Sequence, residues 1–161
     1  DKDFADYLKN NKNYAIEVFS IDRGGDKPRK DLSKWGEVKT KLDYMFYFYN
    51  YKNIHNIINP QIDKNMIKTI LNKYAKTYNN YATKQEWFDS LKVDATELNF
   101  AVNNKEYKLN PENYMGNMAD YCLIIRLMLT GKADSLDIYA ISKIIGQDEV
   151  NDRIQRFLEA L

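Results

Sequence analysis

Arg126 is the residue whose type and setting most invite chemistry, because a permanently charged guanidinium interrupts the apolar run Leu123, Ile124, Ile125, Leu127, Met128 and Leu129. A buried arginine must be paired or must emerge at a surface that uses it. Arg126 therefore reads equally as an anchor for a carboxylate or carbonyl cluster and as a fork for a base edge or phosphate. A second signal is local charge. Between Arg23 and Lys41 the seven bases Arg23, Lys27, Arg29, Lys30, Lys34, Lys39 and Lys41 face the three acids Asp26, Asp31 and Glu37. That segment carries a positive field suited to phosphate contact, or is a solvated charged face with compensating acids. The third signal is the aromatic block Tyr44, Phe46, Tyr47, Phe48, Tyr49 and Tyr51. One helix face cannot hide all these rings, so packing takes most and the remainder can stack on unpaired bases.

Signals for catalysis are poor. Gly24-Gly25 lacks the glycine spacing that lets backbone amides cradle a phosphate. A nucleophilic triad would need the single histidine, His55, which lies in a polar, Asn-flanked connection and reads as an exposed loop residue. The single cysteine, Cys122, excludes an intrachain disulfide and a cysteine-rich zinc site. Carboxylates at helix starts, such as Asp63, Asp148 and Glu149, are explained by capping and the helix dipole. No catalytic, cofactor-binding or metal-binding residue emerges.

The elements that must position these groups are helices. Apolar residues recur at helical spacing at Phe4, Tyr7 and Leu8 and again at Ala15, Val18 and Phe19. Residues 21–34, with Gly24-Gly25 and Pro28, read as an ordered basic loop. Ser33 can cap a helix that runs to about Asn50 and turns Trp35, Val38, Leu42, Met45, Phe46 and Tyr49 to one face. The Asn-rich stretch from Asn53 to Gln61, with Pro60, is a connection. Asp63 caps a helix that buries Met66, Ile67, Ile70, Leu71 and Tyr74, and Thr83 caps one that buries Trp87, Phe88 and Leu91. From Phe100 to Asn113 the pattern stops, and Asn103-Asn104, Asn110 and Pro111 mark a loop. Helix resumes near Tyr114 and stops at Thr130-Gly131. Ser135 caps a helix from Leu136 to Ile145, Gly146 ends it, and Asp148 caps a last one with Val150, Ile154, Phe157, Leu158 and Leu161 on its apolar stripe. The expected fold is all-α, in two small bundles over residues 1–102 and 103–161.

The 161 residues, 44% hydrophobic and 29% charged at a mean hydropathy of −0.65, describe an ordinary globular chain. No apolar stretch approaches the roughly 20 residues a bilayer needs, so no membrane role is expected. A polar start without a signal peptide points to the cytoplasm. A start at Asp1 rather than methionine points to a piece of something longer. With 24 Lys and Arg against 23 Asp and Glu, net charge +1 advertises no polyanionic partner by itself. The stretch from Ser135 to Val150 resembles a helix-turn-helix, yet Asp148, Glu149 and Asp152 at its recognition end would face phosphates. A DNA-binding domain and a helical protein-interaction module stand as alternatives to RNA binding.

Gly116-Asn117-Met118-Ala119-Asp120, then Ile125-Arg126-Leu127-Met128-Leu129-Thr130-Gly131, then Asp137-Ile138-Tyr139, resemble the C-terminal anticodon-binding region of bacterial glutamyl-tRNA synthetases. Upstream pieces resemble the form found in clostridium-like members: Ile21-Asp22-Arg23-Gly24-Gly25, Pro28-Arg29-Lys30-Asp31-Leu32, Trp87-Phe88 and Asn104-Lys105-Glu106-Tyr107-Lys108. The likeness runs through essentially the whole chain. It implies an α-helix cage that grips the anticodon stem-loop of tRNA(Glu), as a monomer, beside a catalytic domain of the same polypeptide. That catalytic domain would use ATP and Mg²⁺ to attach glutamate, and this chain would hold no cofactor and catalyse nothing. By the resemblance, Arg126 falls on the family arginine near the anticodon bases. Ser135 falls where threonine is common, Ile138 on an apolar position near the loop, and Leu136 replaces the family's usual proline. Arg29, Lys30 and Lys27 belong to the basic segment that would reach the RNA.

Overall fold

A computed structural model describes residues 2–24, 26–30, 32, 34–46, 51 and 57–161. The described elements run in the order α1 (Lys2–Asn10), α2 (Lys12–Ser20), α3 (Trp35–Lys41), α4 (Asp43–Phe46), α5 (Lys64–Thr77), α6 (Lys84–Glu97), β1 (Phe100–Ala101), α7 (Asn104–Leu109), a 3₁₀ turn (Pro111–Asn113), β2 (Gly116–Asn117), α8 (Met118–Thr130) and α9 (Ile138–Ala160). The described residues are all-α apart from one parallel pair, with Phe100 opposite Gly116 and Ala101 opposite Asn117. No described helix is long and apolar enough to cross a membrane.

α8 is the hub. Eight of its thirteen residues are buried, so it is apolar nearly all round and must be enclosed by other helices; α4, α5, α6 and α9 pack on it. The first bundle and the C-terminal subdomain expected on either side of residue 102 meet along a common core that runs from Phe4 to Phe157. α1 and α2 are pinned to α4 by rings around Phe46, with Phe4 at 5.4 Å and Tyr14 at 6.0 Å between centroids. Tyr14 also donates its hydroxyl to the Met45 carbonyl at 2.7 Å.

Local signals hold at most helix ends. The Asp63 carboxylate accepts the Met66 amide hydrogen at 2.7 Å. Thr83 and Glu86 close a reciprocal capping box, as do Asn117 and Asp120. Gly131, at φ 67°, ends α8 with its N–H on the Leu127 carbonyl.

Six expectations need correction. The single helix from 33 to 50 is broken at Leu42, between α3 and α4. The Tyr44 amide, whose helical partner would be the Thr40 carbonyl, instead donates to the Asp43 carboxylate at 2.9 Å. Lys132 takes the Thr40 carbonyl at 2.6 Å. Trp35, the first residue of α3, is 75% exposed, while Val38, Leu42, Met45 and Phe46 stay inside. Phe88 is on the surface of α6, beneath the Lys92 ammonium at 4.8 Å from its ring. The expected loop after Phe100 contains α7, capped by Asn103 but burying nothing, and α8 begins at Met118 rather than near Tyr114. Ser135 is no cap: Asp137 caps α9, accepting the Ala140 amide hydrogen at 2.9 Å. Within α9, Gly146 at φ 83° breaks the helical path where a stop was expected. The expectations for Gly25, Asp31, Ser33, Tyr47, Phe48, Tyr49, Asn50 and His55 lie outside the described residues.

Candidate functional site

The site is built on the reversal between α8 and α9. Gly131 stops α8, and Thr130 locks the turn by donating to the Arg126 carbonyl at 2.7 Å and accepting the Lys132 amide hydrogen at 3.1 Å. The chain then passes beneath the Arg126 guanidinium. Arg126 Nη1 donates to Ser135 Oγ at 2.6 Å and reaches the Ser135 and Leu136 carbonyls at 3.3 and 3.4 Å. Its Nε and Nη2 have no partner among the described residues, and the side chain is half-buried. A charge-assisted bond on one nitrogen thus orients the planar fork and leaves its other donors unused.

Leu136 secures the turn from below. Its side chain is buried, and its amide donates to the Tyr44 hydroxyl at 3.1 Å. Proline at this position could not make that bond, because it has no N–H. The turn rigidity that a proline ring supplies by covalent geometry is supplied here by a tertiary hydrogen bond from α4. Ile138, the first residue of α9, is buried beneath the same turn. Lys84 donates to the Asp137 carboxylate at 2.7 Å, tying the start of α9 to the start of α6.

In front of Ser135 opens a cleft of about 470 Å³. Arg29, Lys41, Tyr44, Lys132 and Ser135 line it, together with the acids Asp22 and Asp134. Lys132 is spread between the Thr40 carbonyl and the Asp43 carboxylate, 5.6 Å from the centre of the Tyr44 ring. Arg29 is half-buried in the lining of the same cleft, and its backbone N–H donates to the Asp22 carbonyl at 2.7 Å. The structure thus brings Ser135 and Arg29 around one opening, and Arg126 holds Ser135 from outside its lining. Lys27 and Lys30 are exposed on the neighbouring loop and do not line it.

The described aromatic residues of the block are structural. Tyr44 and Phe46 are buried, and the Tyr51 hydroxyl reaches the Met128 carbonyl at 2.8 Å and the Arg153 carbonyl at 3.2 Å. Cys122, one turn before Arg126, has its thiol pushed up to about 11 by burial, partly offset by the arginine charge. It stays protonated at neutral pH. Among the described residues no group of three or more His, Cys, Asp or Glu is placed to hold a metal.

Sequence reasoning missed Lys132, Tyr44 and Arg153 as builders of this site. Arg153 is only 4% exposed. It donates to the Leu129 carbonyl, to the Tyr44 carbonyl at 2.9 Å and to Glu149 at 2.7 Å. One guanidinium thereby joins α4, α8 and α9. The available signal was its position, since Arg153 lies on the same face as Val150, Ile154 and Phe157.

Residues 34–158 match the anticodon binding domain family. The glutamate–tRNA ligase of Clostridium perfringens (strain SM101) is 37% identical over 160 residues, covering 98% of this chain and 29% of the relative. That of Acetivibrio thermocellus is 34% identical over 158 residues, covering 98% and 28%. That of Sorangium cellulosum is 26% identical over 161 residues, again covering 98% and 28%. The chain thus spans less than a third of the length of these relatives. No solved structure matches it significantly.

Proposed function

This chain belongs to the anticodon binding domain family, and from that premise we propose that it reads the anticodon stem-loop of tRNA(Glu) for a glutamate–tRNA ligase. The observation that carries the reading is the half-occupied fork of Arg126. Nη1 is committed to Ser135 and Leu136, which fixes the guanidinium plane before RNA arrives. Nε and Nη2 then offer paired donors to the edge of an unstacked base, the form in which single-stranded RNA is read. Ser135 adds a hydroxyl beside it, and Ile138 supports the turn from the core. Arg29, Lys132, Lys27 and Lys30 supply the positive field that holds phosphates and sets the register. Recognition is this chain's whole task. Glutamate activation with ATP and Mg²⁺ belongs to a catalytic domain of the same polypeptide, acting as a monomer in the cytoplasm.

A fluorescence-anisotropy titration tests this. The chain is titrated with an anticodon stem-loop of tRNA(Glu), and with one whose central anticodon base is changed, at low and physiological salt. A preference for the cognate loop that survives added salt is expected, because base contacts are less screened than phosphate contacts. Equal binding that collapses with salt would leave a phosphate-gripping platform without anticodon reading.

A further inference from the structure

Trp35 is 75% exposed at the start of α3, although the apolar area of an indole ordinarily draws it inside. Its ring meets the half-buried Phe19 ring edge to face at 5.6 Å and 86°. With Ile16, Leu32 and Val38 these rings line a groove of about 530 Å³. Arg23 and Lys34 border it, both exposed. Neither side chain has an ion-pair or hydrogen-bond partner among the described residues, and no carboxylate is among those lining the groove. The groove shares no lining residue with the cleft at Ser135. Asp22 faces one opening and Arg23 the other, so the two lie on either side of the same loop.

An apolar partner helix would cover the rings but strand at the rim two cations that have no partner among the described residues. A nucleotide matches both features, since its base presents a π-face to the indole and its phosphates meet the cations. We propose that the Trp35 groove is a second RNA site, in which Trp35 stacks on an unpaired base while Arg23 and Lys34 hold the flanking phosphates. This rests on the reading of the chain as an RNA binder, but not on Arg126 reading the anticodon.

Tryptophan fluorescence provides the test, because Trp87, the other tryptophan, is buried. Single-stranded oligoadenylate is expected to quench the exposed indole to saturation. Trp35→Ala should abolish the quenching and weaken oligoadenylate binding about tenfold, and Trp35→Phe should restore most of the affinity. Removing both charges, Arg23→Gln with Lys34→Gln, should flatten the log–log salt dependence by about 1.4. Absence of quenching, or wild-type affinity in Trp35→Ala, overturns the proposal. So does sedimentation showing that Trp35 drives self-association without RNA. Quenching by oligoadenylate with no anticodon preference in the stem-loop titration would sink the anticodon reading alone. Anticodon preference with a silent Trp35 would sink this one alone.

Discussion

The buried hydroxyl of Tyr44 accepts the amide hydrogen of Leu136 at 3.1 Å, across 92 positions of sequence. The same residue's carbonyl accepts Arg153 Nη2 at 2.9 Å. Tyr44 thus ties the turn under Arg126 to α9. Tyr44→Phe keeps the ring and strands a buried amide, so about 1–3 kcal/mol of stability should be lost. Cognate stem-loop binding should fall as well, because the turn at Ser135 loses its support. Unchanged urea midpoints together with unchanged binding would show that the bond is idle.

Tyr121→Phe should do the reverse. Among the described residues the buried Tyr121 hydroxyl has no hydrogen-bond partner, and burial pushes its ionisation well above the ordinary tyrosine range. Removing that oxygen relieves an unpaid desolvation, so the variant should equal or exceed the parent by up to about 1 kcal/mol. A clear drop in the thermal midpoint would reveal a partner for this oxygen.

Arg126→Ala should weaken the cognate stem-loop by about 1–3 kcal/mol and narrow the gap to the altered anticodon. Arg126→Lys keeps the charge but not the fork, so it should recover phosphate-type binding without recovering discrimination. Equal losses for both loops in the alanine variant would reassign Arg126 to simple charge attraction.

Gly116→Ala tests the parallel pair. A Cβ there would sit 2.7 Å from Asp120 Oδ2 and 3.2 Å from the Phe100 ring. Asp120 cannot simply swing aside, because its carboxylate caps the Asn117 amide at 2.9 Å. About 1–3 kcal/mol of destabilisation is expected by chemical denaturation. A neutral result would mean that this cap yields without cost.

Alkali should unfold the protein in a defined window. Burial raises the Cys122 thiol from 9.0 to about 11, and Tyr14 and Tyr74 from 10.0 to about 12. The unfolded chain gives up these protons first, so between pH about 9 and 12 the folded state binds more of them and stability falls as pH rises. Below pH 9 the contribution is intact. The thermal midpoint should therefore hold to about pH 9 and then decline up to about pH 12. A thermal midpoint that stays flat from about pH 9 to about 12 would contradict the burial of these groups.

Local chemistry was legible and tertiary chemistry was not. Asp63, Thr83 with Glu86, and Gly131 act within four residues of themselves, so their roles could be read directly. The break at Leu42 depends on Lys132, some ninety positions away, and no window around residue 42 contains it. Ser135 and Asp137 are both good caps by type; Arg126 decides between them by engaging Ser135. Trp35 has the right spacing for the buried face, but it stands at the very start of its helix, where it is exposed. Arg153, four residues after Glu149, has the look of an exposed ion pair; its place on the face of Val150, Ile154 and Phe157 points inward, and the Leu129 and Tyr44 carbonyls it bonds there lie far away in sequence.

The pairing of Phe100–Ala101 with Gly116–Asn117 brings the two ends of the intervening excursion side by side. Neither α7 nor the 3₁₀ turn within it buries a residue. Protein engineers thus have a natural insertion point at the exposed tip near Leu109 and Asn110. A fluorophore, an affinity handle or a whole guest domain can be spliced in there with both of its ends leaving from one clamped base.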